Sequence, residues 1–186
     1  AVLALCLFPL AQHTEAASCT DDVTLDSQAA INNFASEYAG CSSLGSLRVE
    51  ESLDGDIQSL QGLSQLTSVD GALQIFNNAR LLNVDGLENI TSVGAQLDLF
   101  NNARLNSING LRSVTQVGGF LDISYSSYLP NVNALANVAS VGTRLRLFHL
   151  YGLHDCKGIA PFIRSLPDNL AARVEKVKVG LEGQVP

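Results

Sequence analysis

The sequence predicts a mainly-β repeat solenoid, rich in leucine, whose coils stack through a parallel sheet and whose two ends are capped. Three observations predict it. First, LQIFNNARLLNVDGLENITSVG from Leu73 returns as LDLFNNARLNSINGLRSVTQVG from Leu97 and as LDISYSSYLPNVNALANVASVG from Leu121. It returns in part as LRLFHLYGL from Leu145, a period of 24 residues. A fixed period of this length marks supersecondary units that cannot bury their apolar faces alone and stack to do so. Second, apolar residues recur in register. The columns are Leu73, Leu97, Leu121 and Leu145; Ile75, Leu99, Ile123 and Leu147; Leu81, Leu105, Leu129 and Leu153; and Val84, Ile108, Val132 and Cys156. Third, the chain has 186 residues and is 46% hydrophobic, enough for one domain with a continuous core.

Residues 1–17 read as a partial signal peptide. Val2 to Leu10 is an uncharged apolar run, followed by small residues at Ala16, Ala17 and Ser18 that suit signal peptidase. The run is short of the about 20 residues a membrane span needs. A buried amino-terminal helix or strand is the alternative. Asn89-Ile90-Thr91 is a glycosylation sequon, which points to the same secretory route and places a glycan on Asn89. The expected location is secreted or cell surface.

Residues 18–45 are expected to form an amino-terminal cap with the first coil. Val23 and Leu25 lie 24 residues before Leu47 and Val49, and SQAAINNFASEYAG between them has helical spacing at Ala30, Phe34 and Tyr38. Cys19 and Cys41 flank this segment, and a disulfide between them would clamp the cap in an oxidising compartment. The competing reading takes Cys19 as a lipid-attachment site. Cys6 falls in the leader.

Residues 46–157 carry the repeats. In L-x-[IL] two alternating apolar residues point to one side of a short strand, and such strands stacked a little under 5 Å apart build a parallel sheet. Gly94, Gly118 and Gly142 are expected to supply turns of relaxed φ before each strand. Asn78 and Asn102 are expected to point inward and bond backbone of the turn and of the coil beside it. Ser126 and Leu150 break that column, so looser turns are expected there.

Residues 158–186 leave the period and are expected to cap the carboxy end, with Pro161 able to start a helix and Pro167 to interrupt it. Val177 with Val179 is a candidate further coil, which makes six or seven coils in all. For Cys156 two readings stand: a buried thiol acting as a small apolar residue, or half of a disulfide whose partner lies beyond Pro186.

The charge pattern narrows the function. With a net charge of −7 and eleven scattered basic residues, the chain has no stripe for phosphate, so nucleic acid and anionic lipid are not expected partners. His149, His154, Asp155 and Cys156 sit close in sequence but fit no metal or Cys-His spacing, and no glycine-rich phosphate loop or nucleophile elbow is present. No catalytic activity, metal or cofactor is expected. The outward residues of the strands are the candidate ligand-binding set: Gln74 and Phe76, Asp98 and Phe100, Phe120 and Asp122, and Arg146 and Phe148. An aromatic column with adjacent charges suits contact with protein or carbohydrate. Cross-strand packing of the rings, and neutralisation of Asp122 by Arg146, is the structural alternative. The outward series Gln, Asp, Asp, Arg lacks the repeated Thr, Ser or Ala of a crystal-binding face.

LQIFNNARL with GLENITSVG, and LDLFNNARL with GLRSVTQVG, resemble the receptor L-domain family, whose units L-x-I-x-x-N-x-x-L alternate with G-L-x-x-[LIV]-x-x-[IV]-G. CTDDVTL with GCSSLGSLRV resembles the start of fungal surface proteins that carry this domain, and GLHDCKGIAPFI is similar to the closing unit of bacterial and protist repeat proteins. The resemblance covers roughly residues 19–162. It implies a right-handed leucine-rich-repeat-like superhelix with a binding or cell-surface role. In the insulin and epidermal growth factor receptors such domains contribute to hormone binding, and in fungi they sit on glycolipid-anchored wall proteins. The expectation is an extracellular module that binds a protein or carbohydrate, attached to a membrane only through an anchor not seen in this chain. A wall-associated spacer without a specific ligand is the alternative.

Overall fold

The computed structural model describes residues 19–52 and 55–165. The expected leader at 1–17 lies outside them, as do Pro167 and the Val177–Val179 pair.

Six strands of the long sheet follow the predicted columns: β1 (Val23–Leu25), β3 (Leu47–Glu50), β5 (Leu73–Phe76), β7 (Leu97–Phe100), β9 (Leu121–Ser124) and β11 (Leu145–Phe148). Five two-residue strands form a second, narrower sheet: β2 (Ser43–Leu44), β4 (Ser68–Val69), β6 (Ser92–Val93), β8 (Gln116–Val117) and β10 (Ser140–Val141). Every pairing is parallel, and each strand bonds the one in the next coil. The register is the sequence register: Val23 faces Leu47, Leu73 faces Leu97, and Leu121 faces Leu145. The chain is therefore a leucine-rich parallel β-solenoid of the L-domain-like repeat kind, with six coils among the described residues.

Its core runs between the two sheets. Leu47, Leu73, Leu97 and Leu121 are wholly buried, as are Leu44, Leu81, Leu105 and Leu129. At about 1.5–3 kcal/mol for each fully buried aliphatic side chain, this stack supplies the main drive for folding. Short 3₁₀ turns close the third side of the coil, at Gln61–Leu63, Asn109–Leu111, Asn133–Asn137 and Lys157–Ile159. Ahead of them runs a column absent from the sequence reading. Ser59, Asn83, Ser107, Asn131 and Asp155 each accept a bond from the backbone N–H two residues on, at 3.0–3.2 Å. Asx and Ser/Thr turns of this kind preset the chain for the following 3₁₀ turn.

The amino-terminal cap is the helix α1 (Gln28–Glu37), with Ser27 as N-cap accepting from the Ala30 N–H. Ile31 and Phe34 are its buried residues; Ala30 and Tyr38 pack partly against the core. Cys19 and Cys41 form the disulfide that clamps it. A short helix α2 (Ala160–Ser165) follows the last coil, with Phe162 buried against the core. Cys156 is a free thiol, partly buried, and burial pushes its pKa up.

Two expectations are corrected. Gly94, Gly118 and Gly142 do not use positive φ, which among the described glycines occurs only at Gly40, Gly55 and Gly86. They are needed for close approach: a Cβ on Gly118 would stand 2.0 Å from the Gly94 carbonyl oxygen of the coil before it. The turns at Ser126 and Leu150 are not looser either. The residues just before them, Tyr125 and His149, have φ of 56° and 50°, matching 56° at Asn77 and 54° at Asn101.

Candidate binding surface

The backbone leaves β5, β7, β9 and β11 through one left-handed residue each, and its side chain lands on the outer corner of the coil. Asparagine suits that conformation because its short polar side chain tolerates it, and histidine is tolerated there too; a bulky tyrosine is disfavoured. Asn77 and Asn101 hold the position in two coils and form a ladder: Asn101 Nδ2 donates to Asn77 Oδ1 at 2.9 Å, and Asn77 Nδ2 to Glu50 Oε1 at 2.7 Å. One residue further in, Asn78 and Asn102 are wholly buried. Asn102 Oδ1 accepts from the Asn78 N–H and Nδ2, both at 3.1 Å, while its Nδ2 donates to the Ile75 carbonyl at 2.8 Å. Ser126 in the next coil is buried and its Oγ has no partner.

In the last two coils the corner turns aromatic. Tyr125 lies against Phe100 at 5.1 Å between ring centroids, Phe148 at 5.8 Å and His149 at 4.6 Å. Phe76 meets Phe100 edge-on at 6.2 Å, and His149 Nδ1 and the Tyr151 hydroxyl lie 2.7 Å apart. Phe76, Phe100, Tyr125, Phe148, His149 and Tyr151 thus make one continuous strip across four consecutive coils. It is open to solvent where it ends, with Tyr125 and Tyr151 exposed at 41% and 62%; Tyr128, exposed at 71%, makes no ring contact with it. Large exposed rings fixed by one another suit recognition, because little side-chain freedom remains to be lost on binding.

Charges line the flank of the strip. The column across the sheet runs Arg48, Gln74, Asp98, Asp122, Arg146. Arg48 pairs with Glu50 and lies 5.0 Å over the Phe76 ring. Asp122 is buried, with Ser124 Oγ donating to its Oδ1 and the Arg146 guanidinium meeting Oδ2. A visitor would therefore touch Arg146 and not the carboxylate under it. Asp98 is half-buried, and its Oδ1 has no partner. Burial, and next the charge of Asp122, push its pKa up to about 6.

Of the sequence-derived set, Phe76, Phe100 and Phe148 come together in the strip, with Gln74, Asp98, Asp122 and Arg146 beside it. Phe120 stands apart at the other end of the strands, where Arg144 lies 4.9 Å over its ring. Tyr125, Tyr128, His149 and Tyr151 were missed, although the register Asn77, Asn101, Tyr125, His149 holds the signal. His149 is engaged by rings, whereas Asp155 caps a turn; the Lys157 N–H, and next Asn133 Nδ2 at 3.1 Å, hold its carboxyl below the usual range. No group of three or more potential metal ligands forms among the described residues, and none of their helices is long and apolar enough to cross a membrane. Asn89 is exposed on another side of the coil, just ahead of β6, with Nδ2 donating to the Ser64 carbonyl at 2.8 Å.

No protein-family model, no curated protein and no solved structure matches the chain. Its class rests on its own repeats and register.

Proposed function

We propose that the chain is an extracellular or cell-surface interaction module without catalytic activity, related to the receptor L-domain proteins and binding a protein or glycan through the outward face of its long sheet. One observation carries the reading: the aromatic strip continues across four coils and opens, at its carboxy-terminal end, onto the exposed rings of Tyr125 and Tyr151. Tyrosine supplies large amphipathic contact area at low entropy cost, which is why binding surfaces favour it. The Cys19–Cys41 disulfide and the exposed sequon at Asn89 support the secretory assignment, and a glycan at Asn89 would leave the strip uncovered.

A spacer without a specific ligand is the second reading, favoured by the way Arg146 covers Asp122 and Phe76 packs on Phe100. The two readings part on one experiment. The secreted chain is tested against a panel of extracellular proteins and glycans, with Phe76→Ala/Phe100→Ala alongside. Binding by the wild type that the folded variant loses by tenfold or more supports the module. A folded wild type that binds nothing on the panel supports the spacer.

A further inference from the structure

Resting on the binding reading above, the geometry points to a partner of one chemistry: a protein segment that inserts an arginine or lysine side chain beside Phe76 and Phe100 and sets its cationic head on Asp98. Arg48 pairs with Glu50, and Arg146 pairs with Asp122. Arg144 lies over Phe120. Asp98, beside Phe100, makes neither a hydrogen bond nor an ion pair with a described residue. Its Oδ1 is buried and orphaned.

An uncompensated carboxylate in such a setting attracts a cation more strongly than a neutral hydroxyl, because only a cation offsets its charge. The walls suit the same guest. Phe100 stands one residue along the face from Asp98 on the same side of β7, with Phe76 beside it on β5. Aromatic faces attract guanidinium and ammonium groups and accept their alkyl stems, as the Arg48–Phe76 contact already shows within this molecule. The chain's net charge of −7 would steer a basic partner toward it.

The groups facing Asp98 are Gln74 on β5, Asp122 on β9, and Arg146 with Arg144 on the last coil. Burial is the largest effect on the Asp98 pKa; Asp122 raises it further, and Arg146 and Arg144 lower it. Protonating Asp98 removes the attraction for a cation, so binding should weaken as pH falls through about 6.

The test titrates the full chain, followed by NMR, with a glycine–serine peptide carrying one central arginine and with the same peptide carrying citrulline. Citrulline keeps the shape and removes the charge. The proposal expects the arginine peptide to shift the Phe76, Phe100 and Asp98 signals and to bind at least about tenfold tighter than the citrulline peptide. Asp98→Asn should abolish that preference with the fold intact, and so should acidifying the wild type to about pH 5. Equal binding of the two peptides, or a preference that survives in Asp98→Asn, overturns the proposal. So does binding of neutral chitohexaose at the strip that is insensitive to Asp98→Asn; that outcome would leave the interaction module standing and replace its partner by a glycan.

Discussion

At Asn77 and Asn101 the chain turns out of the long sheet on side chains that bond the coil beside them. At Tyr125 and His149 it makes the same turn, with φ of 56° and 50°, on rings that bond one another instead. The inward neighbours differ in the same way. Asn78 and Asn102 knit turn to turn, whereas Ser126 is buried with an idle hydroxyl and Leu150 is apolar. One backbone thus carries two kinds of corner. The first two satisfy the local preference of the turn. The last two gain an aromatic surface, and Tyr125 does so against that preference. A residue held against its own backbone preference, at the cost of about 1–2 kcal/mol for a side chain such as tyrosine, points to a role beyond folding.

The sharpest way to separate the two kinds of corner is to remove the inward residue from each. Asn102→Ala strips partners from the Asn78 N–H, the Asn78 amide and the Ile75 carbonyl, all buried. It should cost about 3 kcal/mol in denaturant-induced unfolding. Ser126→Ala loses only a hydroxyl that bonds nothing and should change stability by less than about 0.5 kcal/mol. Similar losses at the two sites would mean that the asparagine ladder is not what holds the middle coils in register.

A smaller effect belongs to Asp98, on the flank of the strip. Its folded pKa of about 6 lies above the value of 3.8 expected for an unperturbed aspartate, so ionisation is disfavoured in the folded state. The penalty is fully present above about pH 6 and is relieved as pH falls from about 6 to about 4, so stability should rise as pH falls through that window. Asp98→Asn should remove this dependence. It should be about 1 kcal/mol more stable than the wild type at neutral pH, after allowance for solvent screening, and equal to it near pH 4. Thermal unfolding at the two pH values reads this directly; a variant less stable at neutral pH would mean that the carboxylate is compensated.

Much of the fold was legible because a fixed period of 24 places equivalent residues in one column, and each column has one physical job. The Leu and Ile columns and the inward asparagines follow from that, and the capping disulfide follows from two cysteines that flank the cap segment. Other features did not. A glycine column states only that a side chain is excluded. It does not say whether φ or close approach excludes it, and at Gly118 it is the Gly94 carbonyl. Strand alternation puts Asp122 on the outward face, yet Arg146 in the next coil buries it, and that cover depends on three-dimensional neighbours. Phe120 and Phe100 share the face in sequence terms, but they stand at opposite ends of their strands and never meet. The corner column Asn77, Asn101, Tyr125, His149 stands in the sequence, but its aromatic half gains meaning only where the fold brings Phe100 and Phe148 against it.

The most direct test of the account converts the second kind of corner into the first. Tyr125→Asn/His149→Asn fits the existing backbone, and relief of the left-handed strain offsets the ring contacts removed, so stability should stay within about 1 kcal/mol of the wild type. Measured against the same panel of extracellular proteins and glycans, the folded variant should lose wild-type binding by tenfold or more. Wild-type affinity in that variant would contradict the account and return the aromatic strip to the role of packing.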